Sequence, residues 1–237
     1  MNSKYITLYN KIIEKIEQGS YPPSSKLPSE NELMEKYKFS RDTVRKALNM
    51  LEHNGYINKV KGKGSFVLDI NRHKFPVSGL ISFKEMAESM EGESKTLVKN
   101  LELTKGDKFL RNKLVLEDDE KLWKVVRVRE IGGKKIILDK DHFNSTYIPE
   151  LTEEICRDSI YDYIEKELGL KIGFAKKEIT VRSSSEEDIE HLDLEGYDMI
   201  VVVDTMVYLQ DGTLFQYTES RHRPDKFKFV DFARRAY

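Results

Sequence analysis

Leu27-Pro28-Ser29-Glu30-Asn31-Glu32-Leu33, followed by Phe39-Ser40-Arg41-Asp42-Thr43-Val44-Arg45-Lys46-Ala47-Leu48 and then by Gly55-Tyr56-Ile57 and Lys61-Gly62-Lys63-Gly64-Ser65, decides how the first part of this chain folds. Two short helices joined by a tight turn, with a glycine-tipped basic hairpin behind them, make a winged helix-turn-helix that is mainly α with a β wing. Ser29 and Glu32 fit a capping box, in which the serine oxygen accepts an orphan N–H and the carboxylate reaches back. A helix therefore starts near Glu30 and turns Leu33, Met34 and Tyr37 inward. Ser40 caps the next helix, whose Val44, Ala47, Leu48 and Leu51 face a core while Arg41, Asp42, Thr43 and Arg45 crowd its first turn and solvent side.

Upstream, Tyr5, Tyr9, Ile12 and Ile16 recur at helical spacing and place one apolar stripe on a leading helix, which Gly19 and Pro22-Pro23 end. Downstream, Gly55 supplies a left-handed stop. Tyr56 to Val60 and Ser65 to Leu68 then read as strands around a turn carrying Lys61 and Lys63. Winged helices also mediate protein contacts, and basic helix faces are commonly just solvated. Here a basic recognition turn and a basic wing coincide on one small domain, which favours double-stranded DNA as the partner. The wing glycines make no nucleotide-binding loop, because the spacing of a glycine, four residues and then Gly-Lys-Ser/Thr is missing.

The formal net charge of −1 hides an asymmetry. Residues 1–72 hold 13 Lys and Arg against 8 Asp and Glu, whereas the remainder holds 27 against 33. The positive field belongs to the first domain alone. A length of 237 residues allows two domains, and 39% apolar residues suit ordinary globular cores. No long apolar span or signal peptide is visible, so the expectation is a soluble cytoplasmic protein with no membrane partner. Cys156 is the one cysteine and has no internal disulfide partner, as a reducing compartment allows. Five histidines lie far apart without paired ligand spacing, so neither a metal nor another cofactor is expected. Asn144-Ser145-Thr146 is a formal glycosylation sequon, read as a plain loop.

The polar stretch from Asp69 to Pro76 reads as a linker, which sets domains at 1–70 and 77–237 around residues 71–76. Beyond it the periodicities predict helices at 83–91, 159–168 and 185–192. They predict strands at 95–103, 109–117, 121–132, 134–141, 171–183, 199–209 and 213–223, an α+β domain on a largely antiparallel sheet. In the strand from Leu122 to Ile131, alternation puts Arg127 and Arg129 on one face with Trp123, Val125 and Ile131, and Val126 and Val128 on the other. Two guanidiniums in partly buried space need anions. A fixed carboxylate, Asp139 or Glu219, is one reading, and a bidentately held phosphate is the other. Ser82 with Glu85 three residues on marks a helix start, whose N–H groups form either a second anion-binding element or an ordinary capping box.

The first domain resembles the GntR family of bacterial regulators, and the second resembles the UTRA effector domain of its HutC subfamily. Within that family the resemblance extends to trehalose-operon repressors, through Phe75-Pro76-Val77-Ser78-Gly79-Leu80, Ile137-Leu138-Asp139-Lys140-Asp141, Ser159-Ile160-Tyr161 and Phe215-Gln216-Tyr217-Thr218-Glu219-Ser220-Arg221-His222-Arg223. The resemblance implies a chorismate-lyase-like fold for the second domain and a homodimer on a palindromic operator. It implies DNA contacts at Asn31, Ser40, Arg41, Asp42, Thr43, Arg45, Lys61, Gly62 and Lys63; Asp42 could accept from cytosine or only favour the positive end of its own helix.

For the effector it implies a sugar phosphate held by Arg127 and Arg129, by Ser159 and Tyr161, and by Ser82, Phe83 and Lys84, with Asp139 accepting from sugar hydroxyls. Where amino-sugar-phosphate relatives carry glutamate and tyrosine, this chain has Gln216 and His222. A neutral amide suits a ligand without an ammonium group, and the resemblance implies trehalose 6-phosphate. The expectation is a repressor of trehalose uptake and utilisation genes, released by that ligand. Two alternatives stand beside it: a regulator of the same type responding to another sugar phosphate or small anion, and a small-anion enzyme on the chorismate-lyase-like fold, for which no nucleophile–base pair is evident.

Overall fold

In the computed structural model, which describes residues 4–68, 80–88 and 93–229, Ser29 and Ser40 are both helix caps. The Ser29 side chain accepts from the Glu32 N–H and Glu32 returns the bond to the Ser29 backbone, so α2 runs Glu30–Tyr37 behind a complete capping box. Ser40 accepts from the Thr43 N–H and opens α3, Arg41–His53. Lys38, left-handed at φ 55°, makes the tight turn between them. Before them lies α1, Lys4–Glu17, and after them Gly55 at φ 74° turns the chain into β1, Ile57–Val60, paired antiparallel with β2, Gly64–Val67.

Leu8 and Ile12 are the buried residues of α1, with Tyr5, Tyr9 and Ile16 packed half-buried around them, so the stripe is centred on a leucine that the spacing argument did not include. Leu33, Val44, Ala47, Leu48 and Leu51 close this core. Each fully buried aliphatic side chain contributes roughly 1.5–3 kcal/mol, which is how helices this short hold their positions.

The second compact unit is described by itself. Its elements in order are α4 (Phe83–Glu88), β3 (Ser94–Thr104), α5 (Lys108–Leu114), β4 (Leu122–Ile131), β5 (Lys134–Asn144), α6 (Glu153–Arg157) and α7 (Ile160–Asp162), which runs into a π turn at Tyr163–Glu167. Then follow β6 (Ile172–Ser183), α8 (Glu186–His191), β7 (Met199–Leu209), β8 (Leu214–His222) and a closing 3-10 turn at Pro224–Lys226. The strands form one six-stranded antiparallel sheet in the order β3-β4-β5-β8-β7-β6. Gly132 and Gly133, both at positive φ, form the two-residue hairpin between β4 and β5.

Residues 109–117, expected as a strand, are helical instead over α5. Asp107 accepts from the Leu110 N–H, Leu110 and Leu114 sit one turn apart against the sheet, and left-handed Val115 ends the helix. The apolar run is real, but its i, i+4 pair and its acidic cap outweigh its β-like composition. Helix α6 was not foreseen; Thr152 caps it through the Ile155 N–H. The linker at 71–76 and positions 89–91 of the expected helix 83–91 lie outside the described residues.

The two faces of the sheet divide the labour. On one, Val126, Val128, Leu138, Ile200 and Val202 pack with Leu192 and Leu194. On the other, Val125, Phe143, Val207 and Phe215 pack under Cys156, Ile160 and Ile164. Further along the strands on that second face the core gives way to polar residues. Cys156 belongs to the apolar part; burial pushes its thiol up to about 11, away from reactivity.

Candidate functional site

Where the apolar core stops, β4, β5, β8, β7 and β6 floor a cavity of about 200 Å³, walled by the starts of α4 and α7. Strand alternation puts Arg127 and Arg129 of β4, Asp139 and Asp141 of β5, and Gln216, Thr218, Ser220 and His222 of β8 on its floor. Ser82, Phe83 and Lys84 enter from α4, and Ser159 and Tyr161 from α7. Every effector residue expected from the sequence therefore lines this one cavity.

Both arginines are buried, at 7% and 3% exposure. The Arg127 Nη2 and Nε donate to Asp141 Oδ2 at 2.6 and 3.1 Å, and its Nη1 donates to the Cys156 carbonyl at 3.3 Å. Arg129 Nε donates to Asp139 Oδ2 at 2.8 Å and Nη1 to Thr96 Oγ1 at 2.7 Å, with the guanidinium 4.5 Å over the Phe83 ring. Asp139 was one of the two carboxylates expected. Glu219 was the other, and it faces away, bound to Arg221, Arg182 and Lys140. The partner that sequence reasoning missed is Asp141. Its signal was present: it shares parity with Asp139 on one strand, inside a motif already quoted.

Internal pairing does not exhaust the guanidiniums. Each carries five N–H donors, of which Arg127 commits three and Arg129 two, so both keep donors for a further anion. Burial works against the Arg127 charge, but the Asp141 and Asp139 carboxylates outweigh it and raise its pKa. Arg129 is pushed down, first by burial and then by Arg127 beside it, with Asp139 opposing. Burial would raise Asp139; the two arginines hold it below the usual carboxylate range instead. Asp139 also accepts from the Ser220 hydroxyl, which in turn shares a 3.0 Å bond with His222 Nε2. Burial drives that imidazole down to about 4, so His222 is neutral at pH 7. Burial likewise pushes the Tyr161 phenol well above its ordinary value.

Ser82 makes an ordinary capping box: its Oγ accepts from the Glu85 N–H at 3.1 Å and its own N–H donates to Glu85 at 2.7 Å. Ser159 caps α7 through the Asp162 N–H. Lys84 donates to both Asp158 oxygens at 2.7 and 2.8 Å, which holds its ammonium pKa above the ordinary value.

In the first unit the expected DNA contacts lie exposed or half-buried on α2, α3 and the wing. Arg41 Nη2 donates to Asn31 Oδ1 at 3.1 Å, joining two of them across the helix-turn-helix. Arg45 Nε donates to Glu30 Oε2 at 3.0 Å, and the Ser40 and Thr43 hydroxyls bond each other at 2.9 Å. Asp42 lies exposed in the first turn of α3, and Lys61, Gly62 and Lys63 form the exposed wing turn, with Gly62 at φ 78°. Lys26 was missed. Its Cε would lie 2.7 Å from a Cβ at Gly64, so this lysine lies against the base of the wing and adds to its charge.

Two family models match the chain: "Bacterial regulatory proteins, gntR family" over residues 4–67 and "UTRA domain" over residues 89–228. The chain belongs to the GntR family and carries a UTRA effector domain. It is a DNA-binding transcriptional regulator. Over 233 residues it is 52% identical to the HTH-type transcriptional regulator TreR of Bacillus subtilis (strain 168), covering 98% of both chains. The solved effector-binding domain of the B. subtilis trehalose repressor matches with TM-score 0.56 at 52% identity, over 60% of this chain and 99% of that one. The possible transcriptional regulator YydK of B. subtilis matches 98% of this chain and 100% of its own with TM-score 0.82 at 28% identity. The UTRA match covers the strands and α7 that line the cavity but not Ser82, Phe83 and Lys84, and the GntR match covers the helix-turn-helix and wing. Among the described residues no helix is long and apolar enough to cross a membrane.

Proposed function

We propose that this regulator is a homodimeric, cytoplasmic repressor of a trehalose uptake and utilisation operon, released from a palindromic operator by trehalose 6-phosphate. In this reading residues 1–70 bind DNA, 71–76 link, and 77–237 bind the effector and dimerise. Asn31, Ser40, Arg41, Asp42, Thr43 and Arg45 meet bases and phosphates in the major groove, while Lys61, Gly62 and Lys63 enter a flanking groove.

The observation that carries the effector half is the composition of one cavity. Two buried arginines with uncommitted donors share it with the carboxylates of Asp139 and Asp141, an amide and several hydroxyls. Guanidinium forks suit a phosphate, and the neutral groups suit sugar hydroxyls. An amide at Gln216 offers no charge to an ammonium group, which favours a neutral sugar over an amino sugar. The 52% identity to TreR, whose effector-binding domain is that of a trehalose repressor, supports trehalose among neutral sugars.

A thermal-shift panel of phosphorylated sugars tests this, because a ligand that binds only the folded state raises the melting temperature by RT ln(1 + [L]/Kd). Trehalose 6-phosphate is expected to give the largest shift. A larger shift from another sugar phosphate reassigns the effector, and no shift from any of them overturns the sugar-phosphate reading.

A further inference from the structure

The wing is wider than its two strands. The Ser24 N–H donates to the Val67 carbonyl at 2.8 Å, the Val67 N–H to the Ser25 carbonyl at 2.9 Å and the Leu27 N–H to the Ser65 carbonyl at 2.8 Å, so residues 24–27 lie along β2 with Lys26 opposite Phe66. Ile57 and Val67 occupy the core face of this sheet, which puts Lys26, Phe66 and Gly64 on the outer face. Gly64 stands two residues along β2 from Phe66, the diagonal neighbour that a long side chain reaches. Lys26 takes that path: its Cε would lie 2.7 Å and its Nζ 3.5 Å from a Cβ there. A side chain at position 64 would push the lysine stem away, and Gly64 at φ 111° also holds a backbone angle that L side chains resist. The ammonium is thereby carried to the base of the exposed turn that bears Lys61 and Lys63.

In the other direction Lys26 lies three residues before Ser29, the cap of α2. The Glu32 carboxyl of that helix is held below its ordinary range by the Ser29 hydroxyl and N–H, and the Lys26 charge adds to them. Lys26 therefore stands between the wing and the helix-turn-helix. Arg41, Arg45 and Lys59 are each engaged within the protein, by Asn31, Glu30 and Asn49. Among the described residues no ion pair holds the exposed Lys26 ammonium.

We infer that Lys26 is a further DNA contact, binding a phosphate of the backbone strand that separates the groove entered by α3 from the groove entered by the wing. The inference rests on the groove placement of α3 and the wing proposed above. Two elements in adjacent grooves straddle one sugar-phosphate ridge, and the segment that joins them faces it. An ammonium at that place meets phosphate oxygens and reads no base. With its stem already seated on Gly64, Lys26 gives up less rotamer freedom on binding than a lysine on open surface.

The test is mobility shift with the full chain between about 50 and 200 mM salt, on a duplex selected by the wild-type protein from a random library and on a scrambled duplex. Lys26→Met is expected to weaken binding about fivefold at fixed salt, by the same factor for both duplexes, and to lower the slope of log affinity against log salt by about one per bound half-site. Lys26→Arg is expected to keep the wild-type affinity and slope. Lys26 is exposed, so the variants are expected to melt with the wild type, and Lys26→Gln stands in for Lys26→Met should an apolar tip disturb the wing. Lys11→Met removes the same charge from α1, beside Tyr37, and is expected to change affinity less than about twofold. Unchanged affinity and slope in Lys26→Met overturn the contact. A loss matched by Lys11→Met overturns it too, since Lys26 would then act only as diffuse charge, as does a loss that Lys26→Arg fails to repair. If the paired Lys61→Met, Lys63→Met change is silent as well, the groove placement of the wing falls with it.

Discussion

Arg127 and Asp141 meet at 2.6 Å with side-chain exposures of 9% and 3%, so each makes the other's charge tolerable in the interior. Deleting the guanidinium strands a carboxylate, which costs about 3–5 kcal/mol, whereas replacing both partners with apolar groups costs far less. Arg127→Ala should therefore lower stability more than the paired Arg127→Leu, Asp141→Leu change, while both lose effector binding. Urea unfolding followed by the fluorescence of Trp123, the chain's one tryptophan and a residue of β4, reads this domain directly. Equal stability losses would show that the pair is not coupled. The same cavity sets a pH dependence. His222 titrates near 4 when folded and near 6.5 when unfolded, so between those values the unfolded chain binds more protons and stability rises with pH. Its contribution, on the order of 3 kcal/mol, is complete above pH 6.5 and lost as pH falls toward 4. His142, buried on the opposite face against Tyr217, is shifted downward too and adds to the slope, whereas Asp139 acts only below the ordinary carboxylate range. His222→Gln should flatten stability against pH in that window, most of all when combined with a His142 substitution, and an unchanged slope would contradict the burial of the ring.

At the scale of elements, α3 depends on its cap and on what its solvent face carries. Ser40→Ala removes the acceptor for the Thr43 N–H and should cost about 1 kcal/mol in thermal unfolding, with Ser40→Gly costing only a few tenths. Arg45→Ala should weaken operator binding by about 1–3 kcal/mol while leaving effector affinity unchanged, as a mobility shift at fixed salt would measure. Arg45 holds Glu30 in the free protein, so Glu30→Gln should tighten operator binding by releasing that competitor. Elements were legible in the sequence where a local signal spoke for itself. The box at Ser29, the cap at Ser40, the glycine stop at Gly55 and the alternation of β4 carry their own geometry within a few residues. Helix α5 was misread because Phe109, Leu110 and Leu114 to Leu116 look strand-like unless the Asp107 cap is weighed against them. Helix α6 has five residues, too few to establish a period. Within the site, the arginines and Asp139 could be read from parity. Lys177 could not, because nothing in an isolated β6 shows that it lies four strands from Arg127 over the same cavity.

Regulation belongs to the whole molecule, since a repressor released by its ligand must bind ligand and operator in mutually disfavoured states. Linkage makes that relation reciprocal: if the effector lowers operator affinity by some factor, saturating operator lowers effector affinity by the same factor, with coupling typically ~1–3 kcal/mol. The cavity's chemistry says which molecules can drive it. Free trehalose lacks a phosphate to meet the donors that Arg127 and Arg129 keep, and it would leave those donors unmatched on two buried side chains. Operator affinity titrated with trehalose, trehalose 6-phosphate and glucose 6-phosphate separates the contribution of the phosphate from that of the sugar. One salt concentration must be held throughout, because phosphate contacts with DNA make affinity fall steeply with salt. Release should be strongest with trehalose 6-phosphate, weaker with glucose 6-phosphate and weakest with trehalose. Equal release by trehalose and its phosphate would remove the arginine clamp from the mechanism. Release by glucose 6-phosphate alone would move the effector to a monosaccharide phosphate and leave the class of regulator unchanged.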